Sequence, residues 1–266
     1  MKVKDKTIIV TGAGSGLGRA LVIILLNRGA KVIALDINAA SLKETVVHSQ
    51  HSSDVIFTYQ LDIADKEAVE QTAKIILSKH KHVDGLINNA GIIQPFVKFN
   101  DVSYETIERV FKINLFGTIY LTKAFLPHLI TQQQAHIINI ASMGGFLPVP
   151  GQTIYCAAKA GVKLLTEGLI SELTESNIEV TIVFPGAMNT NIMANSGLKQ
   201  PTSEPDKKQP KTMTPAMAAI QIINAMEAGK TRVFVGSDSR FMDWLYRISP
   251  RFAAQMIYKK MRSKLN

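Results

Sequence analysis

Short apolar, β-branched runs alternate along the chain with longer segments in which apolar residues recur every three or four positions. The short runs predict β-strands and the longer segments predict amphipathic helices, a pattern typical of βαβ units. The predicted strands are Thr7–Val10, Val32–Leu35, Val55–Leu61, Gly85–Asn88, Ile137–Ile140, Val180–Phe184 and Arg232–Val235. Several are apolar throughout, as expected where helices cover both faces of a sheet. We therefore predict an α/β fold, a doubly wound Rossmann-type parallel sheet of seven strands with helices on both faces.

Two segments depart from this alternation. The first, 187–215, contains Pro201, Pro205, Pro210 and Pro215 among Lys, Ser and Thr, and a loop of this length is typical of a mobile lid. The second follows the last strand. We predict one catalytic domain over 1–240, with a lid at 187–215, followed by a basic amphipathic extension at 241–266.

Composition limits the class of protein. A chain of 266 residues with 46% apolar content can bury one substantial core. With Cys156 as its single cysteine, the chain forms no internal disulfide, which favours a reducing, cytoplasmic location. The longest apolar run, Ala20 to Leu26, is far shorter than the ~20 residues that a membrane span needs. Neither a signal peptide nor a transmembrane segment is predicted.

The net charge of +9 is concentrated near the C-terminus. Residues 1–198 hold 17 basic and 16 acidic side chains, whereas residues 199–266 hold 13 basic and 5 acidic ones. This asymmetry indicates local contact with an anionic surface and argues against a nucleic-acid groove across the fold. The extension 241–266 could lie on a membrane, cap the substrate pocket or pack on a second subunit.

A glycine-rich turn, Thr11–Gly18, follows the first strand directly and opens a helix. Its spacing is Thr-Gly-x-x-x-Gly-x-Gly, which differs from the usual G-x-G-x-x-G fingerprint. Glycine allows a sharp turn and a close approach of the backbone to a pyrophosphate, whose charge then rests on helix N–H groups. The turn therefore predicts a dinucleotide site, formed by Gly12, Ser15, Gly16, Leu17 and Gly18.

The choice of dinucleotide depends on Asp36, at the end of the second strand. Its carboxylate can accept hydrogen bonds from the adenosine ribose hydroxyls. A 2′-phosphate would meet like charge, at a cost of about 4 kcal/mol for unit charges 4 Å apart and an effective dielectric near 20. We predict NAD(H) over NADP(H), although Arg19 could offset part of this repulsion and NADP remains possible.

Tyr155 and Lys159 lie four residues apart, a spacing that places them on one face of a helix. An ammonium so close favours the phenolate and should lower the pKa of Tyr155 from about 10. Such a tyrosine could exchange protons near neutral pH. Ser142 stands thirteen residues earlier.

Together these motifs resemble the short-chain dehydrogenase/reductase family in its single-domain form of about 250 residues. The resemblance includes Asn88-Asn89-Ala90-Gly91 after the fourth strand and extends to about residue 240. It implies that Asn89, Ala90 and Gly91 lie near the cofactor, and that Asp62 and Ile63 bind the adenine. It also implies that the nicotinamide side is contacted by Pro185, Gly186 and Thr190.

The mechanism implied by the resemblance is hydride transfer. Ser142 would hydrogen-bond the substrate oxygen, and Tyr155 would take or give its proton. Lys159 would lower the pKa of Tyr155 and bind the nicotinamide ribose, and Tyr155 would also contact the cofactor. Asn114 would fix a water that relays protons from Lys159 to solvent. These four residues are the predicted catalytic set.

The leading hypothesis is an NAD(H)-dependent oxidoreductase for a secondary alcohol or ketone. A lipophilic substrate, such as a steroid, retinoid or fatty-chain compound, would suit a pocket lined by Phe146, Leu147, Val149, Met188, Met193 and Met213. The alternatives are an NADP(H)-dependent carbonyl or 3-oxoacyl reductase and a non-catalytic nucleotide-binding regulator. The six histidines predict no metal site. By resemblance, we expect a homo-oligomer, either a dimer or a tetramer.

Overall fold

The computed structural model of the chain describes residues 1–188, 192–198 and 213–262. Within these residues, seven strands form one parallel sheet in the order β3-β2-β1-β4-β5-β6-β7. The strands are β1 (Thr7–Thr11), β2 (Lys31–Asp36), β3 (Ile56–Gln60), β4 (Gly85–Asn88), β5 (Ala135–Ile140), β6 (Ile178–Pro185) and β7 (Arg232–Val235). The predicted fold class is confirmed.

Helices connect the strands and cover both faces of the sheet. In chain order they are α1 (Gly16–Asn27), α2 (Ala39–Ser49), α3 (Lys66–Lys79), α4 (Tyr104–Phe111), α5 (Gly117–Ile130), α6 (Thr153–Glu172), α7 (Ile192–Asn195), α8 (Pro215–Glu227), α9 (Ser237–Ile248) and α10 (Pro250–Met261). A π-helical turn, Lys112–Phe116, separates α4 from α5.

Two apolar layers hold the sheet between these helices. On one face, Leu21, Leu25 and Ile222 of α1 and α8 pack with Ile8 and Val10 of β1. On the other, α3, α5 and α6 contribute side chains that include Ile76, Leu121, Phe125 and Leu169. Because both faces are covered, the central strands are apolar at nearly every position, as the sequence pattern indicates.

The strand order reverses between β1 and β4. From β1 the chain moves outward to β2 and β3, and it then returns to place β4 on the opposite side of β1. The connections therefore diverge above the carboxyl ends of β1 and β4. In open α/β sheets such a point forms a crevice in which ligands bind.

Strand boundaries differ slightly from the predicted ones. β5 begins two residues earlier than predicted, at Ala135, and β6 extends from Ile178 to Pro185. His136 accounts for part of the difference in β5, because this polar residue is buried inside the sheet, where it hydrogen-bonds Thr181 of β6 at 2.7 Å. Strand ends that bury paired polar side chains are not recognisable from apolar patterning.

The C-terminal residues form the two helices α9 and α10, separated by Ser249. Ser249 caps α10 by accepting a hydrogen bond from Phe252 N, and Pro250 occupies the first helical position. α9 begins at Ser237, where Ser239 Oγ donates to the carbonyl oxygen of Phe184 at 2.8 Å. The helix pair is thus attached to the end of β6. Among the described residues, no helix is both long and apolar enough to cross a bilayer.

Candidate active site

One cleft of about 1430 Å³ opens above the carboxyl ends of β1 and β4. Every predicted catalytic and cofactor-binding residue that the structure describes lines this cleft. They are Gly12, Ser15, Gly16, Leu17, Gly18, Asp36, Asp62, Ile63, Asn89, Ala90, Gly91, Asn114, Ser142, Tyr155, Lys159, Pro185 and Gly186. Thr190 and most of the predicted lid, 189–191 and 199–212, lie outside the described residues. The fold therefore brings together residues that are up to 174 positions apart in the chain.

The glycine turn packs directly against the segment that follows β4. Gly12 has φ +63°, and a Cβ there would lie 2.9 Å from Ala90 Cα. The Thr11 hydroxyl accepts hydrogen bonds from the backbone N–H groups of Asn89 and Ala90, both at 3.0 Å. Asn89 Nδ2 in turn donates to the Thr11 carbonyl at 2.8 Å. The sequence motifs around Gly12 and Asn89 therefore build one rigid floor.

The first turn of α1 suits an anionic ligand. Ser15, its N-cap residue, makes no side-chain hydrogen bond to the turn, and the turn carries no acidic residue. A Cβ at Gly18 would collide with the Gly12 carbonyl, so the turn is held close to the helix end. Open N–H groups at a helix N-terminus favour a phosphate or pyrophosphate. The backbone here fits the pyrophosphate of a dinucleotide.

Asp36 lies beside this turn and is partly ordered by it. Its Oδ2 accepts from Gly14 N at 2.8 Å and its Oδ1 from Asn38 N at 2.9 Å. A carboxylate oxygen has a second lone pair, so both atoms can still accept a hydroxyl hydrogen. Asp36 does not cap α2, because that position belongs to Asn38, which accepts from Ser41 N.

Arg19 is committed to other partners near Asp36. Its guanidinium pairs with the Glu44 carboxylate at 2.7 Å and donates to the Thr45 hydroxyl at 3.0 Å. It also donates to the Gly14 carbonyl. Among the described residues that line the cleft, the only Lys and Arg side chains are Arg109 and Lys159, and both lie on the side of the cleft away from Asp36.

The remaining predicted contacts lie at the strand ends. Asp62 Oδ1 accepts from Ala64 N at 2.9 Å, which fixes the turn after β3, and Ile63 is buried beneath it. At the end of β6, Asp238 of α9 accepts from Ala187 N at 2.8 Å. A Cβ at Gly186 would collide with the Asp238 carboxylate. Asp238 is a positioning residue for this loop that the sequence analysis did not identify.

A second residue missed by the sequence analysis is Gln94, which is fully buried. Its Oε1 accepts from the N–H groups of Ile154 at 2.8 Å and Tyr155 at 3.0 Å, in the first turn of α6. Its backbone carbonyl accepts from Gln152 Nε2 at 2.8 Å. Gln152 itself forms no side-chain cap on α6. Gln94 therefore caps the helix that carries Tyr155 and Lys159.

Ser142 and Tyr155 meet at the catalytic end of the cleft. Ser142 Oγ accepts from Gly144 N at 3.1 Å, which leaves its own hydrogen free to donate. Burial raises the pKa of Tyr155 to about 12, and a hydrogen bond with Ser142 acts in the opposite direction. The sequence prediction of a lowered pKa for Tyr155 is therefore wrong in this structure. The physical reason is loss of solvation, which disfavours the phenolate.

Lys159 is also buried, and burial lowers its pKa to about 8. Its ammonium donates to the Ile140 carbonyl at 2.9 Å. Asn114, in the π-helical turn, donates from Nδ2 to the carbonyls of Ile92 and Val110. Its Oδ1 accepts from Ile92 N at 3.2 Å. Both hydrogens of this amide are committed to the backbone, so water binding at its side chain would rest on Oδ1 alone; the water relay stays a prediction.

The apolar end of the cleft differs in part from the prediction. Val149, Met188 and Met193 line it, together with Ile92, Ile93 and Phe96. Phe146, Leu147 and Met213 do not, and that part of the prediction is wrong. Leu147 is buried against α9 and α10, Phe146 stacks edge-on with Phe184 and Phe234, and Met213 packs on the α1–α8 layer.

Comparison with known proteins identifies the family. Residues 6–201 match the family model described as short chain dehydrogenase. The chain belongs to the short-chain dehydrogenase/reductase family. A protein of Mycobacterium tuberculosis named as an oxidoreductase, SadH, is 35% identical over 252 residues, which cover 92% of this chain and 91% of the relative. The prediction of an oxidoreductase is therefore confirmed.

Solved structures agree with this assignment. A short-chain dehydrogenase from Streptomyces avermitilis has a TM-score of 0.81 and 30% identity, and covers 98% of this chain and 99% of its own. One from Burkholderia cenocepacia in complex with NADP has a TM-score of 0.80 and 25% identity, with coverage of 98% and 99%.

The Gln94 cap yields a first prediction for this dehydrogenase. Gln94→Met keeps the side-chain volume but removes the acceptor for two N–H groups, so we expect about 1 kcal/mol lower stability. Because Tyr155 is then less firmly placed, turnover should fall by roughly tenfold or more. Gln94→Glu keeps the acceptor and should retain more turnover than Gln94→Met. Steady-state kinetics measures both, with exposed Gln71→Met as the matched control; equal turnover in Gln94→Met and Gln71→Met would contradict the assignment.

Burial of Lys159 predicts a pH-dependent stability. Between pH 8 and 10.5 the unfolded chain keeps a proton on Lys159 that the folded chain has released, so wild-type stability rises with pH across this window. The free energy of unfolding of the wild type, relative to that of Lys159→Met, should rise by about 3 kcal/mol across this window. Urea unfolding of both proteins from pH 7 to 10 measures the difference, since other titrations cancel. A pH-independent difference would show that the ammonium is well solvated.

Proposed function

We propose that the chain is an NAD(H)-dependent oxidoreductase that interconverts a lipophilic secondary alcohol and its ketone. One observation carries the proposal: a single cleft holds an open helix N-terminus and Asp36 at one end, and Ser142, Tyr155 and Lys159 at the other. The first group suits a dinucleotide, and the second suits proton transfer to a carbonyl oxygen.

The chain's own residues bind the dinucleotide, orient the substrate and transfer a proton to or from its oxygen. The dinucleotide, when bound, supplies the hydride acceptor or donor. Ser142 is oriented by Gly144 N so that its hydrogen can be given to a substrate oxygen. Tyr155 exchanges the proton of that oxygen through its hydroxyl. Lys159 carries the positive charge nearest to Tyr155 on α6, because residues four apart share one helix face.

The pKa of Tyr155 suits one half of this exchange directly. At about 12, the phenol keeps its proton at neutral pH and is ready to donate it to a carbonyl oxygen. Oxidation of an alcohol requires the phenolate, which is stabilised when the Lys159 ammonium is protonated and close. Below pH 8 that charge is present, because the Lys159 pKa is about 8.

The preference for NAD(H) rests on charge at the adenosine end. Asp36 would face a 2′-phosphate with like charge. Arg19, which donates to the carbonyl of Gly14 beside Asp36, is already paired with Glu44. An arginine held by a carboxylate offers little net charge to a second anion. Among the relatives, the Burkholderia cenocepacia structure holds NADP, so the family fold accepts a 2′-phosphate and the local charges decide the preference of this chain.

The substrate class follows from the side chains at the catalytic end. The cleft that holds Ser142 and Tyr155 is also lined by Ile92, Ile93, Val149, Met188 and Met193. Apolar surface of this kind favours an aliphatic or alicyclic substrate through removal of both surfaces from water. We propose a steroid-like, retinoid-like or fatty-chain compound.

Self-association is also proposed. Leu164 on α6 is 68% exposed, and Phe116 and Tyr120 at the start of α5 stack with ring centroids 6.0 Å apart. Apolar side chains exposed on two helices that are adjacent to the catalytic groups favour burial against a second copy of the chain. A dimer or tetramer formed through these helices would leave the cleft accessible.

Removal of the Tyr155 hydroxyl tests the proposed chemistry. Tyr155→Phe should lower kcat at least a hundredfold, because general acid–base transfer contributes at this scale. The dissociation constant for NADH should stay within about twofold, since the residues predicted to bind the pyrophosphate and the adenosine are untouched. NADH absorbance with a panel of hydroxylated and oxo lipids gives kcat, and NADH fluorescence gives binding; Tyr104→Phe is the exposed control. Near-normal turnover would remove Tyr155 from the mechanism.

Cofactor preference tests the role of Asp36 without any substrate. Wild type should bind NADH at least tenfold more tightly than NADPH. Asp36→Ser should bring the two affinities closer together. It should weaken the binding of NADH, because the two carboxylate oxygens that accept the ribose hydroxyls are lost, and it should strengthen the binding of NADPH, because the charge that repels the 2′-phosphate is lost. Fluorescence titration measures all four dissociation constants. Tighter binding of NADPH than of NADH by the wild type would contradict the assignment of NAD(H) as the cofactor.

A further inference from the structure

The outer face of the C-terminal helix pair, α9 and α10, exposes large apolar side chains. Phe241, Trp244, Ile248, Phe252 and Tyr258 are each 50–63% exposed. Phe241, Trp244 and Ile248 recur at helical spacing and form one stripe along α9, with the rings of Phe241 and Trp244 6.2 Å apart. The inner face is already satisfied, because Met242, Leu245, Ala253 and Ile257 are buried with Leu147. The five exposed side chains on the outer face therefore take no part in the hydrophobic core.

The charges on the same face have one sign. Between 240 and 262 the chain has one acidic residue, Asp243, which is half-buried and paired with Arg232 and Arg247. The basic residues in this stretch are all exposed: Arg240, Arg247, Arg251, Lys259, Lys260 and Arg262. Among the described residues, Arg247 is the one member of this set within ion-pair distance of a carboxylate. Within the described part of the chain, five cations of the helix pair thus lie beyond ion-pair distance of a carboxylate, on the same two helices as the aromatic stripe.

We propose that this outer face docks on an anionic lipid surface. Aromatic and aliphatic side chains gain by leaving water, and cations near a negatively charged leaflet add about 1 kcal/mol each. Trp beside Phe and Lys or Arg is the combination that settles at a bilayer interface. A single acidic lipid surface would contact the apolar side chains and the cations at once. Charge complementarity favours it, because Asp243, the one carboxylate between 240 and 262, is already paired with arginine.

Docking would bring the active-site loop close to the membrane. The inner face of the helix pair packs on Leu147 and on the partly buried Met143 and Phe146, the residues that follow Ser142. One helix layer, about 10 Å thick, separates this loop from the lipid-facing side chains. A lipophilic substrate could then reach the cleft from the bilayer. This consequence rests on the proposed substrate class, whereas the docking itself does not.

The position of Trp244 makes the test specific. It is the one tryptophan in the chain, so intrinsic tryptophan fluorescence reports on this face alone. With vesicles of phosphatidylcholine and phosphatidylserine, the full-length protein should show a shift of emission to shorter wavelength and quenching by bromine-labelled acyl chains. Vesicles of phosphatidylcholine alone should give a much weaker signal, and added salt should reduce it.

Charge and apolar variants separate the two contributions. Arg251→Glu, Lys259→Glu and Lys260→Glu combined should lower partition into anionic vesicles by at least a hundredfold, since each lost cation costs about fivefold. Phe241→Ser with Phe252→Ser should weaken binding at high salt as well. The matched control replaces three exposed lysines elsewhere, Lys43→Glu, Lys74→Glu and Lys81→Glu, and should lose far less. Circular dichroism and NADH binding verify that each variant is folded.

Other occupants give distinguishable results, and each would overturn the proposal. A second copy of the chain would shift Trp244 emission with protein concentration in the absence of lipid. An acidic protein or nucleic acid would be mimicked by polyglutamate or an RNA homopolymer, which would shift Trp244 where vesicles do not. Vesicle binding without a change at Trp244 would assign the lipid contact to another face.

Discussion

The hydroxyl of Thr11 joins the two strands between which the cleft opens, and the rest of the site depends on this junction. It accepts from two successive N–H groups after β4, at Asn89 and Ala90, and so fixes the end of β4 against the end of β1. Only glycine at position 12 allows the approach, because its φ is positive and a Cβ would press on Ala90. The N-terminus of α1, which follows this turn, is then fixed in position relative to the ends of β1 and β4. A dinucleotide site requires that fixed position, because backbone N–H groups bind only where they point.

At the other end of the cleft, burial dominates. Desolvation moves the pKa of Tyr155 up and that of Lys159 down, so both groups are biased toward their neutral forms. Two titratable groups displaced in this way are costly to bury, and such displacement is typical of catalytic positions. The surrounding polar contacts hold the groups in place: the Gln94 cap, the Gly144 N–H to Ser142 bond and the Lys159 bond to Ile140. Burial of Tyr155 and Lys159 thus lowers the stability of the fold, and the packing of the apolar layers on both sides of the sheet offsets this cost.

The sequence predicts the strands and the membership of the cleft well, because both follow from local patterns. Apolar runs mark strands, and carboxyl ends of parallel strands meet at one edge, so motifs after successive strands converge. Burial is not local, and the errors follow from this. Helical spacing shows that Lys159 is near Tyr155, but it does not show that both lose solvent. Gln94 lies in a loop between Ile93 and Pro95 with no pattern around it, and its role depends on a helix sixty residues later. Phe146 and Leu147 could face the cleft or the C-terminal helices, and only the folded chain decides.

The helix pair at the C-terminus shows how one segment can serve two surfaces. Asp238 and Ser239, at the start of α9, bind the backbone of Ala187 and Phe184 at the end of β6, which is the loop beside the catalytic end of the cleft. The buried face of the pair then packs on the loop after Ser142. The helix pair is therefore attached to two loops that line the cleft, the one after β6 and the one after β5. Exposed apolar side chains lower the solubility of a protein, so solubility alone does not explain this stripe of aromatic residues. Docking of the outer face on lipid, as proposed, would fix the position of the helix pair and, through it, the two loops to which the pair is attached.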